Sequence, residues 1–167
     1  PSGSKDTYVP TTLGMTSGKY YTEAKFISGV AYTYIGITDK PATASKILGD
    51  FTNSVRLRGD DGTTRINNVA STTLTSFTTN DIIGIAVDLT NLKIYYSKNG
   101  VWMNSANPSS GTGGLTITAP DGAYFFAWQC NSGSSVCKYS WNFGNGTFGT
   151  TAVSSAGTNA SSNGVFE

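Results

Sequence analysis

The residues able to do chemistry are few, and most gather in one stretch. The chain's only arginines, Arg56, Arg58 and Arg65, bracket Asp60 and Asp61. Guanidinium forks and carboxylates at that density suit directional hydrogen bonding to a polar or anionic partner. Elsewhere the usual catalysts are missing. There is no His, which removes Ser-His-Asp and Cys-His catalysis and the commonest metal ligand. Glu23 and Glu167 are the only glutamates, so the carboxylate pair of a glycosidase would come mostly from aspartates. A glycan-cleaving enzyme is disfavoured on that ground, and neither catalysis nor a cofactor nor a metal is expected.

Smaller motifs have plain explanations. Asp60-Asp61-Gly62 lacks the spaced acidic loop of a calcium site and reads as a β-turn. Arg58-Gly59-Asp60 spells a tripeptide that integrins recognise, and a turn of this composition produces it by chance. Asp81 and Asp88 flank a strand, where turn capping accounts for them. Asn145-Gly146-Thr147 and Asn159-Ala160-Ser161 are glycosylation sequons, relevant only in a eukaryotic host. Cys130 and Cys137 fall opposite each other if a turn centres on Gly133-Ser134. Cα atoms about 4.5 Å apart in such a pair lie within disulfide range. An oxidising compartment would join them; a reducing one would leave two packed thiols.

These side chains must be positioned by strands. Charged residues are 13 % of the 167, while Thr, Ser, Gly and Asn together make 77. Hydrophobic residues at 38 % and aromatics at 12 % are too many for a disordered chain and enough for a single core. A net charge of +1 leaves no electrostatic footprint for nucleic acid or an anionic membrane. No apolar run is long enough for a membrane span. Pro1 in place of Met reads as the start of a processed or excised piece. The polar, weakly charged composition suggests an extracellular or virion-surface location.

Thr, Val, Ile, Tyr and Phe recur in short runs bounded by Gly, Asn and Asp, the pattern of strands rather than helices. Residues 19–27 and 30–38 read as strands joined at Ser28-Gly29, the first with Tyr20, Ala24 and Phe26 on one face and Glu23 and Lys25 on the other. A hairpin spans 54–67 with its turn at 59–62. Its pairing brings the arginines onto neighbouring positions, so something anionic or aromatic is expected beside them, with Asp60 or Asp61 the simplest partners. Residues 68–80 form a polar connection anchored by Leu74 and Phe77. Residues 82–89 are apolar almost throughout, as in a strand covered on both faces. They lead through Thr90-Asn91 to 92–98, and through Asn99-Gly100, a type I′ turn signal, to 101–103. A short strand follows at 115–118. A last hairpin pairs 123–130 with 136–143, setting Trp128 against Tyr139, Phe126 against Trp141 and Tyr124 against Phe143, with Gln129, Lys138, Ser140 and Asn142 on an outer, partly exposed face. Eight to eleven such strands predict an all-β, two-sheet antiparallel sandwich of jelly-roll type, with at most one helical turn. The sandwich would occupy 1–148. Residues from Gly144 on, and 149–167 in particular, read as a loosely held Gly/Ser/Thr/Asn-rich tail.

Five segments in order also resemble the SPRY domain, a sandwich related to the concanavalin-like jelly rolls. They are Gly18-Lys19-Tyr20-Tyr21-Thr22-Glu23, Tyr34-Ile35-Gly36-Ile37, the run from Asn80 to Asp88, the run from Lys93 to Trp102, and Trp141-Asn142-Phe143-Gly144. Tyr20 and Tyr21 stand where the family often has Trp. The resemblance implies a module for interaction rather than catalysis. The ending Phe143-Gly144-Asn145-Gly146-Thr147-Phe148-Gly149 and the Thr/Ser/Asn/Gly-rich style are similar to SPRY-type modules in phage structural proteins. That implies a tail, fibre or capsid domain binding a host receptor, a glycan or a neighbouring virion protein. A decoration or spacer domain that contacts only its own copies is the alternative. Contacts are expected from the loops 39–53, 59–62, 104–114 and 131–135, first among them the tip carrying Arg58, Asp60 and Asp61, backed by Arg56 and Arg65.

Overall fold

The computed structural model describes residues 8–29, 32–41, 46–130, 137–159 and 162–167. The strands are β1 (Tyr8–Met15), β2 (Lys19–Ser28), β3 (Thr33–Thr38), β4 (Ser54–Arg58), β5 (Thr63–Ile66), β6 (Val69–Thr73), β7 (Ile82–Asp88), β8 (Lys93–Lys98), β9 (Val101–Trp102), β10 (Leu115–Thr116), β11 (Tyr124–Cys130), β12 (Lys138–Asn142), β13 (Thr147–Phe148) and β14 (Thr151–Ala152). One 3-10 turn, Met103–Ser105, is the helical content among the described residues. Sheet A runs β1-β11-β3-β4-β5-β6 and sheet B runs β10-β8-β7-β2-β12, with β9 also on β8. Every pairing is antiparallel. The fold is the expected two-sheet sandwich.

Strand alternation builds its interior. Ile35, Ile37, Val55, Leu57, Tyr124 and Phe126 of sheet A meet Ala24, Phe26, Ile83, Ile85, Val87, Ile94 and Tyr96 of sheet B. Phe77 is buried there and Leu74 packs against it, as the sequence suggested. The 54–67 hairpin and the β7-β8-β9 meander form where expected. Asn99 and Gly100, with φ of 49° and 78°, supply the left-handed pair that a type I′ turn needs.

Three expectations are corrected. The runs 123–130 and 136–143 do not form a hairpin: β11 pairs with β1 and β3, and β12 pairs with β2. Tyr124, Phe126, Cys137, Tyr139 and Trp141 do share the interior, but the two runs meet across the sandwich, with Phe126–Trp141 ring centroids 6.2 Å apart and Trp128–Tyr139 6.4 Å. Period-2 alternation fixes which face a residue takes and is silent about whether two successive strands share a sheet. Phe143, 48 % exposed, lies at the rim rather than inside. For the same reason β2 and β3, consecutive in sequence, lie in opposite sheets.

The second correction concerns outer faces. Gln129, Asn142 and Glu23 are each at most 1 % exposed, because both sheets are covered from outside. On sheet A the cover is residues 46–53: Leu48 packs with Tyr8, Tyr34 and Ala127, and the Gln129 side chain accepts from Leu48 N–H and donates to the Lys46 carbonyl. Part of the expected recognition loop 39–53 is thus a structural lid.

On sheet B the cover is the C-terminal segment, which is not loose in its described residues. Phe148 and Phe166 are buried, Asn142 donates to the Val165 carbonyl, and Gly157 bridges Phe166. Third, residues 69–73 of the expected polar connection form the edge strand β6, exposed along its whole length. The 131–135 loop lies outside the described residues.

Candidate functional site

The arginine hairpin assembles as a self-neutralising cluster on sheet A. Arg56 and Arg65 face each other across β4 and β5, the like-charge pairing expected from the hairpin. Asp50, contributed by the lid, sits between them, 3.1 Å from Arg56 and 2.8 Å from Arg65. Arg56 is 8 % exposed, donates to the Leu48 carbonyl and lies over the Tyr34 ring at 4.4 Å. Burial holds its pKa below the usual arginine value, with the Asp50 charge opposing that.

At the tip, Arg58 grips Asp60 with both arms of its fork, at 2.5 and 2.7 Å, reaches Asp61 at 3.2 Å and covers the Tyr32 ring at 4.3 Å. Hydrogen bonding from Arg58 keeps the Asp60 carboxyl below its ordinary pKa. Asp61 accepts from the Thr63 amide and hydroxyl, so its turn role is visible. Of the five residues singled out from the sequence, Arg58, Asp60 and Asp61 form one tip; Arg56 and Arg65 belong to a separate, lidded group with Asp50.

Asp81 and Asp88 are turn groups. Burial raises the Asp81 pKa, but bonds from Thr78 N–H, Asn99 and Lys98 outweigh it and hold the carboxyl low. Asp88 is held low in the same way by Asn91 and Lys19. Cys130 and Cys137, with Cα atoms 5.6 Å apart, are joined by a disulfide that links the end of β11 in one sheet to the approach to β12 in the other. Among the described residues no three of His, Cys, Asp and Glu gather as metal ligands.

A second site emerges that the sequence reading missed. On the outer face of sheet B, Tyr21, Ala86 and Tyr95 form one cross-strand row; Glu23, Gly84, Ser97 and Trp102 form the next. Above them lies a cleft of about 550 Å³, walled by the 107–109 loop on one side and by residues 157–159 and 166–167 on the other. Tyr21 is its centre, with Phe166 at 4.8 Å edge-on and Trp102 at 6.0 Å. Gly84 makes room for this: a Cβ there would fall 2.6 Å from the Tyr21 hydroxyl and 2.3 Å from the Ser97 hydroxyl.

Behind Tyr21, the buried Glu23 carboxylate accepts from the Tyr21 hydroxyl, Asn142 and the Glu167 amide, each at 3.0–3.1 Å. Burial raises the Glu23 pKa despite these bonds, and burial followed by the Glu23 charge raises that of Tyr21. A sequence signal for the cleft existed. Consecutive tyrosines at 20–21 and 95–96 on strands must place one of each pair on an outer face.

The fold and its surfaces therefore define a β-sandwich with a charged hairpin tip and an aromatic cleft, and no assembled catalytic constellation among the described residues. The SPRY domain family model matches residues 19–127, and the chain belongs to that family. SPRY domains are generally non-catalytic protein-interaction modules. The chain is similar in structure to the SPRY domain of human HERC1, at a TM-score of 0.68 and 20 % identity, over 83 % of this chain and 82 % of that one. It is also similar to another human SPRY domain, at a TM-score of 0.59 and 20 % identity, covering 79 % and 82 %. No curated protein matches.

Proposed function

We propose that this SPRY domain is a non-catalytic recognition module displayed on a virion or outside a cell, where it docks a protein or glycan partner through its loops. Family membership supports the interaction role, and the polar, weakly charged, histidine-free composition supports the location. The observation that carries the site is the Arg58 tip. Its guanidinium and two carboxylates are held in fixed geometry at an exposed turn by Asp60, Asp61 and the Tyr32 ring. A partner meeting pre-ordered charges gains directional bonds with little ordering cost.

The test measures binding of the 167-residue protein to candidate host cells and to co-purified virion proteins, with and without Arg58→Ala plus Asp60→Ala. The expected result is weaker binding by the double variant with an almost unchanged melting temperature. Binding equal to the parent's would overturn the tip. Binding to nothing but other copies of the chain would make it a spacer.

A further inference from the structure

We infer that the cleft on the outer face of sheet B is a binding site for a neutral saccharide. This deepens the recognition role by naming a second site and its ligand class. The cleft's walls have two characters. Its apolar surface combines Ala86, Val87 and Pro108 with the rings of Tyr21 and Trp102, both half-buried, and of Tyr95 and Phe166, buried behind them. Aromatic faces lie flat against the C–H face of a sugar ring, burying apolar area and leaving the hydroxyls at the ring's edge to the rim.

The rim supplies uncharged donors and acceptors from Asn107, Ser109 and Thr158. Asn107 uses its amide oxygen on the Ser109 and Ser110 amides. Its amide nitrogen makes no bond among the described residues.

Charge in the lining is sparse. The one cation in the lining, Lys19, is paired with Asp88 at 3.3 Å, and the Glu167 carboxylate is held by Ser154. The lining thus holds one cation and two acidic side chains, each already partnered, and its other polar groups are uncharged. A neutral polyhydroxyl ligand matches this inventory. Tyr95 adds a second observation: it lines the cleft at 2 % exposure, and its buried hydroxyl has no hydrogen-bond partner among the described residues. A buried hydroxyl left unpaired is costly, and a ligand group is a natural partner for one. The cleft volume lies within the roughly 300–1,000 Å³ of small-ligand sites.

The experiment titrates the labelled protein with a set of neutral methyl glycosides: hexoses, N-acetylhexosamines and their disaccharides. Shifts of the Trp102 indole and of the Ala86 and Ser97 amides are followed by NMR. A saturable response to at least one glycoside is expected. Trp102→Ala should weaken it by roughly tenfold or more. Asn107→Asp, which keeps the oxygen that holds the 109–110 amides and removes only the amide nitrogen, should weaken it severalfold, and Arg58→Ala plus Asp60→Ala should leave it unchanged.

The inference fails if no glycoside perturbs these resonances, if charged sugars or proline- and aromatic-rich peptides bind there instead, or if both cleft variants bind like the parent. Partner binding at the tip that persists without any saccharide binding would sink this inference alone. Saccharide binding without a tip partner would sink the tip alone.

Discussion

The outer faces of the two sheets are covered in opposite ways. On sheet A the lid of residues 46–53 brings its own Asp50 and closes over Arg56 and Arg65, leaving Leu48 fully buried. On sheet B the C-terminal segment covers the row around Glu23, and a cleft lies over the row of Tyr21. Conspicuous charge in the sequence marked the closed face. Outward-facing aromatics, which look like core residues when read singly, marked the open one. Charge in a charge-poor chain was recruited mostly to hold the fold together.

The largest effect should come from breaking the closed face. Arg56→Ala leaves Asp50 with one partner, empties the space over Tyr34 and frees the Leu48 carbonyl. A loss of about 3–5 kcal/mol is expected from chemical denaturation, as for breaking a buried ion pair. A variant within about 1 kcal/mol of the parent would mean that the lid is held by apolar packing alone.

Next comes Phe166→Ala, which removes the ring that seats the C-terminal segment against Tyr21. About 3 kcal/mol is expected, the low end for a buried aromatic because one side faces the cleft. Protease resistance beyond residue 144 should fall with it. An unchanged melt and digest would restore the loose-tail reading.

Acid should separate the groups by sign. Asp60, Asp81 and Asp88 have pKa values lowered by folding, so their contribution is present above the ordinary carboxylate range and lost as pH falls through their folded values. Glu23 is raised, so its contribution is complete below the ordinary range and lost as pH rises through its folded value. Melting temperature should therefore rise slightly on mild acidification before it falls. Glu23→Gln should remove the rise and keep the fall; a rise that survives in this variant would assign it to another group. The smallest expected change is in the stability of Arg58→Ala plus Asp60→Ala, about 1 kcal/mol or less for a partly exposed pair.

What could be read in advance was local. The 54–67 hairpin and the 82–103 meander were legible because turn chemistry and alternation lie within a few residues of the bonds they specify. The sheet assignment of 124–130 and 137–143 was not, since alternation is the same whether a chain turns back within its sheet or crosses to the other. The tip was legible in composition, but Asp50 as the partner of Arg56 and Arg65 was not: it comes from an irregular segment with no periodicity. The cleft joins segments near residues 20, 86–102, 107 and 157–167, and no single one of them looks like a site. Only Phe148 and Phe166, isolated in a polar tail, hinted that the tail was anchored.

The order of β2 in sheet B has a consequence in time. β2 lies between β7 and β12, and its last paired residues, Lys25 and Ser28, wait for Ile82 and Lys138. At synthesis rates of roughly 5–20 residues per second, β2 has no partner on either edge for about 3–12 s, and at least one open edge for about twice as long in all. Throughout that interval a nascent chain carrying Tyr20, Tyr21 and Phe26 offers bare backbone and rings to any other nascent copy. Crowded polysomes, rather than the finished domain, are then where the sequence is most exposed to mispairing, and slowing translation ahead of Ile82 should lower its soluble yield.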